Sequence, residues 1–220
     1  QETPVKRLTE QSFLRDVASH EMAVELNNGT YRRVVFKRRE NAWLHRFELV
    51  TWPGALCIRG DVGTYVFSRL NDMFEFFRSP MKEDDERLYI NADYWAEKLI
   101  ASDCNGRLGD GVMRYDSDLF CDYVKRRYVE HVRTRMHGKP DERRALRSAL
   151  EDDVLSMANE GEDAARRAAD DFECEGFRLT DFWEVELRDY ATQFIWALYA
   201  IAWGIREFDK AQAAADAVAA

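Results

Sequence analysis

The chain has 220 residues, with 32 Lys and Arg against 41 Asp and Glu, a net charge of −9. A chain of that length buries about 70% of its unfolded surface and needs no disulfide or metal staple; six Trp and thirteen Phe exclude a disordered polymer. The acidic balance argues against a general nucleic-acid binder, whose domain is ordinarily basic.

The first residues, QETPVKRLTE, lack the apolar stretch of a signal peptide. From Thr9, Phe13, Leu14 and Val17 recur at helical spacing and predict a short amphipathic helix. The period then changes. EMAVELNNGTYRRVVFKR carries Asn28-Gly29 between apolar runs, a hairpin signal that, with those two residues as the turn, sets Leu26 opposite Tyr31, Glu25 opposite Arg32 and Val24 opposite Arg33. Further strands are predicted at 43–51, 55–59 and 64–69, in addition to 22–26 and 31–38. Pro53-Gly54 suits a type II turn. The loop Gly60–Gly63, GDVG, lies between two strands and has no GK[ST], so it turns a hairpin and does not cradle a phosphate.

After Arg69 the pattern becomes helical. Asn71 or Asp72 caps a helix through Met73, Phe74 and Phe77; residues 79–87 form a polar loop; Asn91 caps INADYWAEKLIAS, a helix exposing Glu97 and Lys98; 104–111 is turn-rich. A long helix starts at Asp116 or Ser117, with Leu119, Phe120, Tyr123, Val124 and Tyr128 on one stripe, and ends at Gly138-Lys139-Pro140. Helices near 141–158 and 162–173 follow, then one over 184–209 with a fraying alanine-rich tail at 211–220. The fold class is α+β, one domain: an antiparallel meander of about five strands (21–69) against a helical half (70–210), the helices near 116–136 and 184–209 packing on one sheet face. The twelve apolar residues FIWALYAIAWGI (194–205) are too short to span a bilayer and read as a core helix. Phe194, Trp196, Tyr199 and Trp203 are core, not a cofactor box.

Two charged stretches compete as surfaces. YRRVVFKRRENAWLHR (31–46) has six Arg or Lys against Glu40, a local charge of +5, with Tyr31, Phe36 and Trp43 interleaved, as single-stranded nucleic acid requires. Strand alternation divides its cations, however: Arg33, Lys37 and Arg39 on one face, Arg32 and Arg38 on the other. Residues 151–175 hold ten acids against two arginines, a local charge of −8. On one helix they would span about 37 Å, one acid per roughly 3.7 Å, close to the phosphate spacing of about 3.4 Å along a DNA strand. At helical angles Asp152, Asp153, Glu160, Asp163, Asp170, Asp171 and Glu175 share a broad sector, opposite Val154, Ala158, Ala165, Ala169 and Phe172; a solvated amphipathic helix shows the same division, and Gly161 interrupts the phase.

Enzyme signals are weak. His20, His45, His131 and His137 form no HxxxH pair, and Ser68, Ser102 and Ser117 sit in no GxSxG elbow. Asp84, Asp85 and Glu86 read as a solvated acidic loop. Cys57, Cys104, Cys121 and Cys174 lack CxxC spacing, which points to reduced thiols and a cytosolic setting. No catalytic residue, metal or cofactor is expected; a dispersed site would draw on Asp61, His45 and Asp103.

LVTWPGALCIRGDVGTYVFSRLNDMFEFFR, INADYWAEKL and FIWALYAIAWGIREFD together resemble a family of uncharacterised bacteriophage and prophage accessory proteins, over about residues 30–210. The resemblance transfers no catalytic residue. It implies a protein made in the cytoplasm of an infected or lysogenised bacterium that binds and disables a host or defence protein or nucleoprotein, in the manner of an anti-CRISPR. The alternatives are a nucleic-acid binder using 31–46 and an enzyme with a dispersed site.

Overall fold

Three tight turns, an eight-residue loop at 39–46 and one long excursion order a six-stranded antiparallel sheet in the computed structural model, which describes residues 8–78, 87–103 and 111–219. The strands run consecutively: β1 (His20–Asn28), β2 (Tyr31–Arg38), β3 (Phe47–Trp52), β4 (Ala55–Gly60), β5 (Gly63–Ser68) and β6 (Leu99–Asp103). The class is α+β. The Pro53-Gly54 turn forms, with Gly54 at φ 86, as type II requires. The GDVG loop turns a hairpin with Gly60 opposite Gly63. An added Cβ on Gly60 would lie 2.1 Å from the Arg46 carbonyl oxygen, so close backbone approach explains this glycine.

Four expectations need correction. The first hairpin is shifted: Asn28 faces Tyr31, Asn27 faces Arg32 and Leu26 faces Arg33, with a bulge between Val24 and Leu26. Gly29, at φ 61, and Thr30 are therefore the turn residues, and Glu25 pairs with Arg33 at 2.8 Å instead of Arg32. β3 begins at Phe47, because Asn41 and His45 adopt positive φ and keep 41–45 out of the sheet. The helix capped by Asn91 stops after Ala92–Ala96, and the chain then joins β5 as a sixth strand, Phe67 opposite Leu99. The last helix starts at Thr192, and it stays helical through Ala219 where fraying was expected.

One sheet face supplies the core. Val34, Phe36, Phe47, Leu49, Leu56, Ile58, Tyr65 and Phe67 are fully buried. Over them pack α1 (Glu10–Val17), held by a Thr9–Ser12 capping box, α2 (Met73–Phe77), capped by Asp72, and the C-terminal helix 192–219. Phe194 and Trp196 are buried in this core, with Tyr199 and Trp203 packed against it. Rings interlock: Phe36 stacks on Phe47 at 4.7 Å and lies 5.2 Å from Trp203.

Residues 113–189 form a second compact unit with its own core. After α3 (Ala92–Ala96), it holds α4 (Ser117–Arg135), α5 (Pro140–Ala149), a π-helical turn (Leu150–Val154), a 3-10 turn (Leu155–Asn159) and α6 (Glu162–Asp171); the helix from Thr192 is α7. Phe120 and Val124 of α4 bury among Leu146, Leu150, Phe172 and Phe182 of this core and not on the sheet, as had been expected for 116–136. Residues 188–190 pair as a strand with 113–115, which removes them from the predicted helix. Among the described residues no helix is long and apolar enough to cross a membrane. Asp84, Asp85, Glu86 and Cys104 lie outside the described residues.

Candidate interaction surfaces

The basic strand is neutralised inside its own unit. Arg32 places both terminal nitrogens on the Asp72 carboxylate at 2.8 Å. Arg33 bridges Glu25 at 2.8 Å and Glu48 at 2.7 Å, and Arg59 adds a second bond to Glu48 at 3.1 Å. Glu48 is 3% exposed, and these two arginines supply the paired cations that a carboxylate so placed needs. Arg39 pairs with Glu21. Arg38 turns inward, donating to the Asp16 carbonyl at 2.7 Å. Lys37 is exposed. The expected split by strand face holds, and the cations do not converge on one groove.

The acidic stretch behaves in the opposite way. Leu146, Leu150, Val154 and Ala158 recur every four residues, and all are buried. In an α-helix that spacing drifts about 40° per step. The wider π turn at 150–154 takes up the drift and keeps all four inward. Gly161, at φ 104, then ends the rod before α6. The acids therefore lie on two segments, as the separate helices expected near 141–158 and 162–173 imply, and not on one rod of about 37 Å. The division by face holds throughout: Val154, Ala158, Ala165, Ala169 and Phe172 are buried, whereas Asp152, Asp153, Glu160, Asp163, Asp170 and Asp171 are exposed. Four cations nearby are taken by other acids: Arg147 by Glu151 at 2.9 Å, Lys139 by Glu142 at 2.7 Å, and Arg166 and Arg188 by Glu162 at 3.0 and 2.9 Å; Arg167, on α6 itself, donates to the Asp163 carbonyl at 3.4 Å. Burial raises the Glu162 carboxyl, but the two arginines outweigh it and hold it below the usual range. Among the described residues, none of the six exposed acids forms an ion pair; Asp152 accepts a hydrogen bond from Ser148 at 3.3 Å.

Two of the three dispersed enzyme candidates do meet, but in a structural role. Asp61 accepts from the His45 backbone N–H at 2.9 Å, and Asp61 N–H donates to the Arg46 carbonyl at 2.9 Å. The His45 ring packs 5.5 Å from Trp196, and His20 Nε2 donates to the His45 carbonyl at 2.9 Å. Burial lowers the His20 pKa, with Arg38 adding to the effect against that carbonyl bond. Asp103 sits opposite Thr64 at the sheet's far edge. Ser68 donates to the Gly54 carbonyl at 2.8 Å. Among the described residues no cluster of His, Cys, Asp or Glu could hold a metal ion. Cys57, Cys121 and Cys174 are free thiols, each pushed upward by burial.

Periodicity missed one surface. Leu119, predicted on the buried stripe of α4, instead lines an open groove with Lys125, Arg126, Val129 and Arg133. The apolar spacing of α4 is wider than one face, and only the burial of Phe120 and Val124 shows which part turns inward. The chain matches no family model, no curated protein and no solved structure.

Proposed function

We propose that this protein is a non-enzymatic, phage-encoded antagonist that binds a bacterial host or defence protein or nucleoprotein in the cytoplasm, offering the acidic face of its helical unit where the partner expects nucleic acid. One observation carries the reading: the two charged stretches are compensated unequally. Arg32, Arg33 and Arg39 are paired within the fold, while Asp152, Asp153, Glu160, Asp163, Asp170 and Asp171 face outward without a cation. Carboxylates left so cost little in water and supply a field that steers a basic groove onto this face. The break at Gly161 shortens the match. Between Asp163 and Asp171 α6 rises about 12 Å, or three to four phosphates. The mimicry thus covers a short stretch of backbone, and salt screens it, since the Debye length is about 8 Å at physiological ionic strength.

The test is capture from a lysate of the infected bacterium by the tagged protein and by a variant with all six acids changed to Lys. The expected result is one protein partner held at low salt, released as salt rises, displaced by duplex DNA and lost with the variant. Equal capture by the variant, or nucleic acid recovered without protein, would overturn the proposal.

A further inference from the structure

α4 turns Phe120 and Val124 into the helical core and leaves another side to water. There an open groove of about 770 Å³ follows the helix, lined by residues of α4 alone. Leu119, Asp122, Arg126, Val129 and Arg133 recur along it at steps of three and four, the spacing by which one helix meets another. Val129 is exposed near its middle. Charge is sorted along the groove: Asp122 toward the N-terminal end, Lys125 and Arg126 beyond it, and Arg133 toward the C-terminal end. These four are exposed, and among the described residues Asp122, Lys125 and Arg133 form no ion pair. Arg126 lies 5.9 Å from the Tyr123 ring. Glu130, the groove's other acid, is matched by Arg127 at 2.9 Å. Asp122 and Arg133 are thus unmatched charges of opposite sign, about three turns and about 17 Å apart on one line of the helix.

We propose that this face receives α4 of a second copy, laid antiparallel across a two-fold axis, so that Asp122 of each helix meets Arg133 of the other and the Arg126 stem covers Val129. The groove is complementary to itself in that direction only. A parallel copy would set Asp122 on Asp122 and Arg126 on Arg126, like charge on like. Slipping the antiparallel pair by one heptad would match Asp122 with Arg126 but carry Arg133 past the start of the other helix at Ser117. The acidic face at Asp163, Asp170 and Asp171 fits less well as the occupant. It would bring further acids against Asp122 and no apolar residue to Val129, and a head-to-tail contact of that kind does not close at two copies. One helix face is smaller than the about 800 Å² per partner of a standard interface, so the dimer is weak. This inference stands on α4 and does not rest on the function proposed above.

The test is sedimentation of the full chain from about 1 μM to about 1 mM, the range of weak association. The mean mass is expected to rise toward that of two chains and no further. Asp122→Arg and Arg133→Asp should each weaken the dimer at least about tenfold, because in a two-fold pair one reversal turns two attractions into repulsions. The chain carrying both reversals should regain most of the loss, since the exchanged charges meet again. Circular dichroism of the three variants should match the parent, the positions being exposed. The variant with the six acids changed to Lys should dimerise as the parent does. The proposal is overturned if the chain stays a monomer at the highest concentration, or if the double reversal is no better than either single one. It is equally overturned if the six-lysine variant loses association or if the mass grows beyond two chains, outcomes that would assign the groove to the acidic face.

Discussion

Arg32 and Asp72, forty positions apart, form a two-bond ion pair whose side chains are 11% and 18% exposed, with the guanidinium 4.7 Å from the centre of the Phe74 ring. The same Asp72 carboxylate accepts the Phe74 N–H at 2.9 Å and so caps α2. A strand cation that the sequence offers as a surface contact thus fastens the sheet to a helix of the core.

Arg32→Ala should therefore destabilise the protein by about 3 kcal/mol, because it leaves a half-buried carboxylate without its cation. Arg32→Lys should recover only part of this, lacking the planar two-bond fork and the stacking face. Arg39→Ala, at an exposed pair with Glu21, should cost less than about 1 kcal/mol. Urea titration of the three variants measures the contrast; equal losses would show that Arg32 has no special place.

The same pair predicts an acid response. Burial tends to raise the Asp72 carboxyl, but Arg32 and the Phe74 N–H outweigh it and hold it below its ordinary value. Its folded pKa is thus depressed, so the stabilisation is complete above the unfolded value near about 3.9 and is lost as pH falls through the folded one. Asp72→Asn should flatten the dependence of stability on pH below about 4 relative to the parent, as read from thermal unfolding in a series of acidic buffers.

Gly60→Ala should cost about 3 kcal/mol or more, at the upper end of overpacking effects. The new methyl would meet backbone, the Arg46 carbonyl oxygen at 2.1 Å and Phe47 Cα at 2.7 Å, neither of which can rotate aside. Gly29→Ala, with open space around its Cβ, meets only its positive φ and should cost less; denaturation midpoints of the two variants decide this.

An alkaline counterpart exists in the helical unit. The Tyr115 hydroxyl donates to the Ala158 carbonyl at 3.0 Å, and its pKa is pushed up to about 12 by burial, with Cys121, Glu162 and Asp116 adding to it. A raised folded pKa means that the stabilisation is present below about 10 and fades as pH rises through the folded value. Tyr115→Phe should cost about 1 kcal/mol at neutral pH and remove one late-ionising phenol from the ultraviolet titration.

Much of this architecture is legible in short-range signals. Thr9, Asp72, Asn91 and Asp116 each cap the helix that they open, and Pro53-Gly54 turns where it should. These devices act within four residues, so the chain displays them directly. The failures depend on partners far along the chain. Glu25 bulges from β1 toward Arg33, which β3 holds through Glu48, and no local pattern around Asn28-Gly29 contains that tie. Leu99–Asp103 becomes a strand because β5 offers an edge, whereas its own sequence continues a helical rhythm. In the acidic segment the inward and outward positions are readable from angle, and the break from Gly161 itself, while the π turn comes with the packing of Leu150 and Val154 into the helical core.

The hydrogen bond from Ala191 N–H to the Val112 carbonyl, at 2.7 Å, joins the points where the chain leaves the sheet unit and returns to it. Residues 113–189 are accordingly a parenthesis in the gene: their entry and exit touch, and the sheet waits for α7, made after them, to cover its core. A bridge of two or three glycines could span that gap, leaving a shortened polypeptide with β1 to β6 and α7 intact. The helical insert, by contrast, is finished on the ribosome first, before the words on either side of it can close.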